Sequence, residues 1–441
     1  MKILLVTYFY LPESNPRSER WSQIVDFWEK EGHSIFVITA AKQNTDTIQN
    51  KKIKRSKENK LGRIRREITN HDINMSNFSD GKKISIFDKL YVFFISKLKL
   101  TIKLSYNFFL KNTQWPDFAW TWINQAYKDT KKIIDSEGPF DILISVSHPF
   151  SSHIVAKRIK KTNPKLPWII DMGDPFCFLE DSQPNNFYLY KSLNKRKEKE
   201  IFSLCDYASV TNQETKEIYS SLFPESKNKI KVIEPLLNDS FFKRNKEIEN
   251  SITKKRESKK KFKLIYIGTL YSKIRNPLFL MKLLERLSVM LSEDIEMHFY
   301  GLTNDVDISK LVFKNFSYFF HGEVSKEDSY YKLFESDILV NISNITNFQL
   351  PSKLVDYAIT GKPILNISSI KDDSSNKFLE NYPNSISICS QDFISEDELK
   401  KISTFISESK NIKKDSIDEQ KFLAKYKISE ISKKYKSLWP S

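Results

Sequence analysis

The chain has 441 residues, 40% of them hydrophobic and 29% charged, and a formal net charge of +16. That length exceeds one ordinary core and predicts two globular domains, and the positive excess suits an anionic partner such as a nucleotide, a nucleic acid or an acidic membrane surface. Three widely spaced cysteines (Cys177, Cys205, Cys389) without a CxxC pair argue against disulfides and zinc, and no apolar run is long enough to predict a membrane span.

Strand-like and helix-like segments alternate from the start, the pattern of a parallel sheet covered by helices. Lys2 to Tyr8 reads as a strand, residues 12–20 as a polar loop, and Trp21 to Glu31 as a helix with Ile24, Val25, Phe27 and Trp28 at helical spacing. Pro12, Glu13 and Asn15 follow the first apolar run too closely for a signal peptide. Gly32 ends the helix and Ser34 to Thr39 is the next strand, followed later by strands at 142–146, 168–171, 207–210 and 230–233. Residues 41–115 break the pattern. Residues 51–66 hold nine basic residues and one acid and read as a solvated loop. Residues 84–110 are apolar, and Lys89, Lys97, Lys99, Lys103 and Lys111 fall on one arc of a helical wheel. That pattern fits either a core helix pair with solvated lysines or a helix lying on a membrane.

A basic, polar stretch at 243–261 reads as a linker or a surface loop. The alternation then restarts, with strands at 264–267, 296–300, 318–320, 338–340 and 363–367. The expected architecture is α/β, with two Rossmann-like halves at 1–240 and 262–425 and a helix at 426–441 crossing back to the first half.

The segment Gln349-Leu-Pro-Ser-Lys-Leu-Val-Asp-Tyr-Ala-Ile-Thr-Gly-Lys-Pro is the most informative. Pro351 and Ser352 start a helix there, with Ser352 as its N-cap, and backbone N–H groups at such a start favour phosphate. Lys353 in the first turn adds a cation for the same anion, and Asp356, one turn on, is suited to accept hydrogen bonds from ribose hydroxyls.

This segment closely resembles the donor-binding helix of family 4 glycosyltransferases, the retaining GT-B enzymes, and in particular the subgroup that builds capsule, O-antigen and exopolysaccharide. Other stretches agree in order: Met1-Lys-Ile-Leu-Leu-Val-Thr with Gly32-His33, Ser147-His-Pro-Phe-Ser-Ser-His153, Pro167-Trp-Ile-Ile-Asp-Met-Gly-Asp-Pro175, Tyr266-Ile-Gly-Thr-Leu-Tyr271 and His321-Gly-Glu-Val324. The resemblance implies a GT-B fold of two doubly wound domains facing each other across a cleft. It implies transfer of a sugar, with retention, from a UDP- or GDP-sugar to a saccharide acceptor, extending a chain carried on polyprenyl diphosphate at the inner face of the cytoplasmic membrane.

Carried over position by position, the resemblance brings Gly268 and Thr269 to the donor phosphates or sugar through their backbone. Lys273 or Arg275 neutralises the diphosphate, Ser352 and Lys353 hold it, Asp356 holds the ribose, and Glu323 lies in the turn that contacts the base. Asp174 and His153 belong to the acceptor side, with Ser14, Asn15 and Arg17 in the loop after the first strand. Asp174, Lys353 and Arg275 are the candidate catalytic residues. Plainer readings stand beside these roles: Thr269 as a cap, His153 as a satisfied buried histidine, Arg275 as a solvated side chain.

Three positions depart from the family pattern. Phe348 stands where the first of two spaced carboxylates belongs and the second is shortened to Asp356; Ser14-Asn-Pro-Arg17 replaces a glycine-rich loop; Gly173 stands where an arginine is expected before Asp174. No Asp/Glu/His cluster predicts a metal or other cofactor. A nucleotide-sugar epimerase and a catalytically silent scaffold of a polysaccharide assembly are the rival readings. The basic residues lack interleaved aromatics, which argues against a nucleic-acid partner.

Overall fold

The computed structural model of the protein describes every residue except 14, 42–50, 64–110, 180–182, 238–260, 292–293, 308–311, 352, 391–393, 410–416 and 441. The apolar stretch at 84–110 and nearly all of the basic linker therefore lie outside the described residues. The chain forms two compact units, one of residues 1–211, 215–233 and 434–441, the other of residues 212–214 and 234–433. Among the described residues no helix is long and apolar enough to cross a membrane.

The first unit is built on a parallel sheet of β1 (Lys2–Thr7), β2 (Ser34–Ala40), β3 (Ile53–Ser56), β4 (Ile142–Ser147), β5 (Trp168–Met172), β6 (Tyr207–Val210) and β7 (Ile230–Val232), in the order β3-β2-β1-β4-β5-β6-β7. Its central strands are buried along nearly their whole length, as expected of a sheet covered on both faces. The second unit repeats the plan with β8 (Lys261–Ile267), β9 (Asp294–Tyr300), β10 (Ser317–Phe320), β11 (Ile338–Ile342), β12 (Ile364–Ser368) and β13 (Ser385–Cys389), in the order β10-β9-β8-β11-β12-β13. In both sheets the strand order reverses beside the first strand, between β1 and β4 and between β8 and β11. The carboxyl ends of those strands are where open α/β sheets leave a crevice for ligands.

Three local expectations are corrected. The first helix spans Pro16–Lys30, five residues more at its start than the apolar spacing indicated. Asn15 is its N-cap, accepting from Arg17 N at 2.9 Å, and Pro16 takes the first helical position, so a polar sequence still carries a helix start. The basic run at 51–66 is not all loop: Ile53–Ser56 pairs in parallel with β2. It is the edge strand, where lysine and arginine reach solvent and discourage further pairing. Ser385–Cys389, too short and polar to stand out, is the edge strand on the far side of the second sheet.

The last residues of the described chain belong to the first unit. The helix Ile428–Lys436 ends with Tyr435 fully buried, its ring centroid 5.2 Å from Trp21 and 6.0 Å from Trp28. Trp439 lies 5.1 Å from Trp28, and Lys436 pairs with Glu31 at 2.6 Å. Removing a buried aromatic ring costs about 3–5 kcal/mol. Tyr435→Ala should therefore lower the unfolding free energy of the first unit by that amount in urea titrations, while Val289→Ala, at a largely exposed position of the second unit, should shift it by less than about 0.5 kcal/mol.

Candidate functional site

The clearest site lies in the second unit, at the carboxyl ends of β8 and β11. Strand β8 runs out at Ile267 into Gly268, whose φ of 144° is open only to glycine. Strand β9 does the same at Gly301, with φ 134°. The two turns touch: a Cβ on Gly301 would fall 2.3 Å from the Gly268 carbonyl oxygen. Backbone bonds tie them to their neighbours, Gly268 N donating to Tyr300 O and Gly301 N to Gly322 O, both at 2.8 Å.

Above Gly268 stands the helix Lys353–Ile359. Tyr357 pins it to β8, its hydroxyl accepting from Ile267 N at 2.9 Å. Lys353 is four residues earlier, hence on the same helix face. Its Nζ lies 3.9 Å from the Tyr266 ring centroid, and a Cβ on Gly268 would be 3.4 Å from it. The Nζ is buried and, among the described residues, has no hydrogen-bond partner. Burial, and after it the nearby charge of Arg275, hold the lysine well below its usual pKa.

Arg275 reaches the site from a turn in which Tyr271 and Arg275 pair antiparallel. Its Nε donates to Asn344 Oδ1 at 2.9 Å, so residues following β8 and β11 are joined directly. Lys273, two residues earlier on the same turn, is exposed; of the two basic candidates, Arg275 is the one beside Lys353. Thr269 is half-buried and offers its carbonyl to the Tyr266 hydroxyl at 3.1 Å. Asp356 is half-buried one turn after Lys353; burial pushes its carboxyl up to about 6, against the opposing charge of Lys326. Glu323 is exposed, Phe348 is half-buried, and Ser352 lies outside the described residues.

The acceptor-side candidates belong to the first unit. Asp174 is half-buried just beyond the end of β5. The loop that carries it is held by Glu198, a fully buried carboxylate that accepts from Phe176 N at 3.1 Å, Cys177 N at 3.0 Å and the Tyr219 hydroxyl at 2.6 Å. Arg17 reaches the same place from the first helix, its Nη1 3.6 Å from Asp171 Oδ2. Asn15 is occupied as the helix cap, and Ser14 lies outside the described residues. His153 is wholly buried, with Nδ1 2.7 Å from Ser145 Oγ and a ring pushed down to about 3 by burial. It is a neutral core side chain with no exposed surface to offer an acceptor.

Sequence reasoning passed over Tyr266 as a platform, Asn344, Gly301 and Asp171. Gly301 had a visible signal, because Tyr300-Gly301 repeats the strand-then-glycine ending of Ile267-Gly268. Among the described residues, no group of three or more His, Cys, Asp or Glu side chains is placed to hold a metal ion. The crowding at Gly301 is testable on the ligand-free protein. Gly301→Ala forces a Cβ into the Gly268 backbone and strains its own φ, and should destabilise the second unit by roughly 1–3 kcal/mol in chemical denaturation. Gly322→Ala, whose Cβ would meet nothing within 4 Å, keeps only the strain of its positive φ and should cost less.

No protein-family model matches the sequence, and neither does any curated protein. Solved structures do resemble it over nearly its whole length. Alr3699/HepE of Anabaena, in complex with UDP and glucose, aligns at TM-score 0.57 and 10% identity, over 99% of this chain and 98% of that one. A glycosyltransferase from Rickettsia africae aligns at 0.57 and 13%, over 99% and 97%. The N-terminal domain of trehalose-6-phosphate phosphatase from Candida albicans aligns at 0.61 and 12%, over 99% and 96%. At such identities the likeness is one of fold, and the fold, two parallel sheets each flanked by helices, is that of GT-B glycosyltransferases.

Proposed function

We propose that the protein is a family 4 glycosyltransferase that takes a sugar from a UDP- or GDP-sugar and transfers it, with retention, to a saccharide acceptor. The observation that carries the reading is Lys353 Nζ, buried without a partner among the described residues, above the Gly268 turn and beside Arg275. A diphosphate would give such an amine its anion, and the carboxyl ends of β8 and β11 are where open α/β sheets take ligands. Crystals of HepE with UDP and with UDP-glucose support the same donor class. Lys353 and Arg275 stabilise the charge that grows on the departing nucleoside diphosphate, with no metal required, and both are fixed before reaction, so little reorganisation is needed. Asp356 takes the ribose hydroxyls. Asp174 orients the acceptor hydroxyl. The acceptor is a lipid-linked saccharide of surface-polysaccharide synthesis, met at the cytoplasmic face of the membrane.

Phe348, in place of a carboxylate that would touch the donor sugar, favours one rival, a protein that binds the nucleotide without transferring from it. A thermal-shift panel of UDP and GDP sugars, followed by product analysis with the best ligand and lipid-linked oligosaccharide acceptors, separates the two. Binding with transfer supports the enzyme, binding without transfer the rival, and no binding rejects both.

The state of Lys353 yields a sharper expectation. A bound diphosphate restores the amine's pKa toward its ordinary value, so binding takes up a proton at any pH between the free and bound values. Calorimetry of UDP binding in buffers of different ionisation enthalpy should reveal that uptake, and affinity should fall as pH rises from the free-state pKa to the bound-state pKa and level off above it. Lys353→Met should abolish the uptake and weaken binding by about 10–100-fold, the worth of one charge-assisted contact. Uptake unchanged in Lys353→Met would remove this lysine from the diphosphate site.

A further inference from the structure

Asp171, next to last in β5, has both carboxylate oxygens committed inside the first unit. Oδ2 accepts from Trp21 Nε1 at 2.7 Å and Oδ1 from Ser209 Oγ at 2.8 Å. Arg17 lies against Oδ2 at 3.6 Å, an ion pair that orients the guanidinium without taking one of its N–H groups in a hydrogen bond. Its side chain is only 15% exposed. Its five N–H donors form a rigid fork, and none of them meets a hydrogen-bond acceptor among the described residues.

The guanidinium lies on the backbone of Gly173. A Cβ at that position would sit 2.0 Å from Arg17 Cζ and 2.1 Å from its Nε. Gly173 is itself fixed, its N–H donating to Ser147 Oγ at 3.2 Å. Position 173 can therefore carry no side chain while Arg17 occupies this place, and the two positions act as one unit immediately before Asp174.

We propose that Arg17, seated on Gly173, is the receptor for an oxyanion carried by the acceptor. This deepens the glycosyltransferase reading and rests on it for the word acceptor. The planar fork suits either a phosphate oxygen pair or a carboxylate, so the anion is the diphosphate of a lipid carrier or the carboxylate of an acidic sugar.

The experiment uses the full-length protein saturated with UDP, so that the donor site does not compete. Farnesyl diphosphate and glucuronate are titrated separately, with binding followed by ligand-observed NMR, into wild type, Arg17→Gln, Arg17→Lys, Gly173→Ala and the double variant Arg17→Gln/Gly173→Ala. The expected result is that one probe binds wild type and is weakened at least about tenfold by Arg17→Gln and by Gly173→Ala, with partial retention in Arg17→Lys. Because Gly173→Ala acts by displacing Arg17, the double variant should be no weaker than either single one. UDP affinity and thermal midpoint, measured on every variant, should stay near wild type. Preference for farnesyl diphosphate identifies the lipid carrier, and preference for glucuronate the acidic sugar. Binding of neither probe, equal binding in Arg17→Gln, or fully additive losses in the double variant would overturn the proposal. Failure of UDP to bind wild type would instead overturn the donor reading, and the probe titrations without UDP would still report on Arg17.

Discussion

An amine buried with no hydrogen-bond partner among the described residues is the constraint around which the second unit is arranged. Leaving such a group unpaired costs several kcal/mol, so the surroundings must hold it there. They do so through contacts that leave little slack. Tyr357 fastens the helix to the end of β8, the Tyr266 ring lies beneath the amine, Arg275 stands beside it on a turn tied to Asn344, and Gly268 leaves the space above its own backbone open. Together these contacts hold the amine in one place.

The first unit places charge at its sheet ends in the opposite way. Asp171 is as buried as any residue in the sheet, yet both its oxygens are satisfied. Burial alone would raise its pKa, but Arg17, Arg20 and the hydrogen bonds from Trp21 and Ser209 outweigh that and keep it below the ordinary carboxylate range. A charge stabilised in this manner is a fixed post, and the side chain it steadies is the one left with bonding capacity. In one unit the uncompensated donor is the buried group itself; in the other it is the partner of a compensated group.

How much of this could be read from the residues depended on range. The alternation of apolar strands and helices was strong enough to give the two-sheet plan, and Pro351 to Gly361 carried enough local helix chemistry to locate Lys353 and Asp356. What could not be read was set by contacts between distant positions. His153 could be read either as an acceptor-side residue or as a buried histidine, and only the fold places it against Ser145 and Phe150. Lys273 and Arg275 were indistinguishable by sequence because their difference is the direction of a turn closed by Tyr271. The absence of an arginine at 173 looked like a loss until Arg17, from the first helix, was found lying where its side chain would begin. Ile53–Ser56 was hidden because edge strands are where charge and strand structure coexist.

The packing of Tyr435 and Trp439 against the first helix has a consequence for synthesis. Arg20 and Tyr435, hydrogen-bonded in the folded molecule, are separated by 415 positions along the chain. A ribosome releasing the chain from its N-terminus at about 5–20 residues per second delivers Trp21 and Trp28 early and their covering ring some tens of seconds later. During that interval the first unit lacks the ring that packs on those indoles, and the second unit is translated in its entirety before the first is complete. Completion of the first unit is thus tied to the full passage of the second.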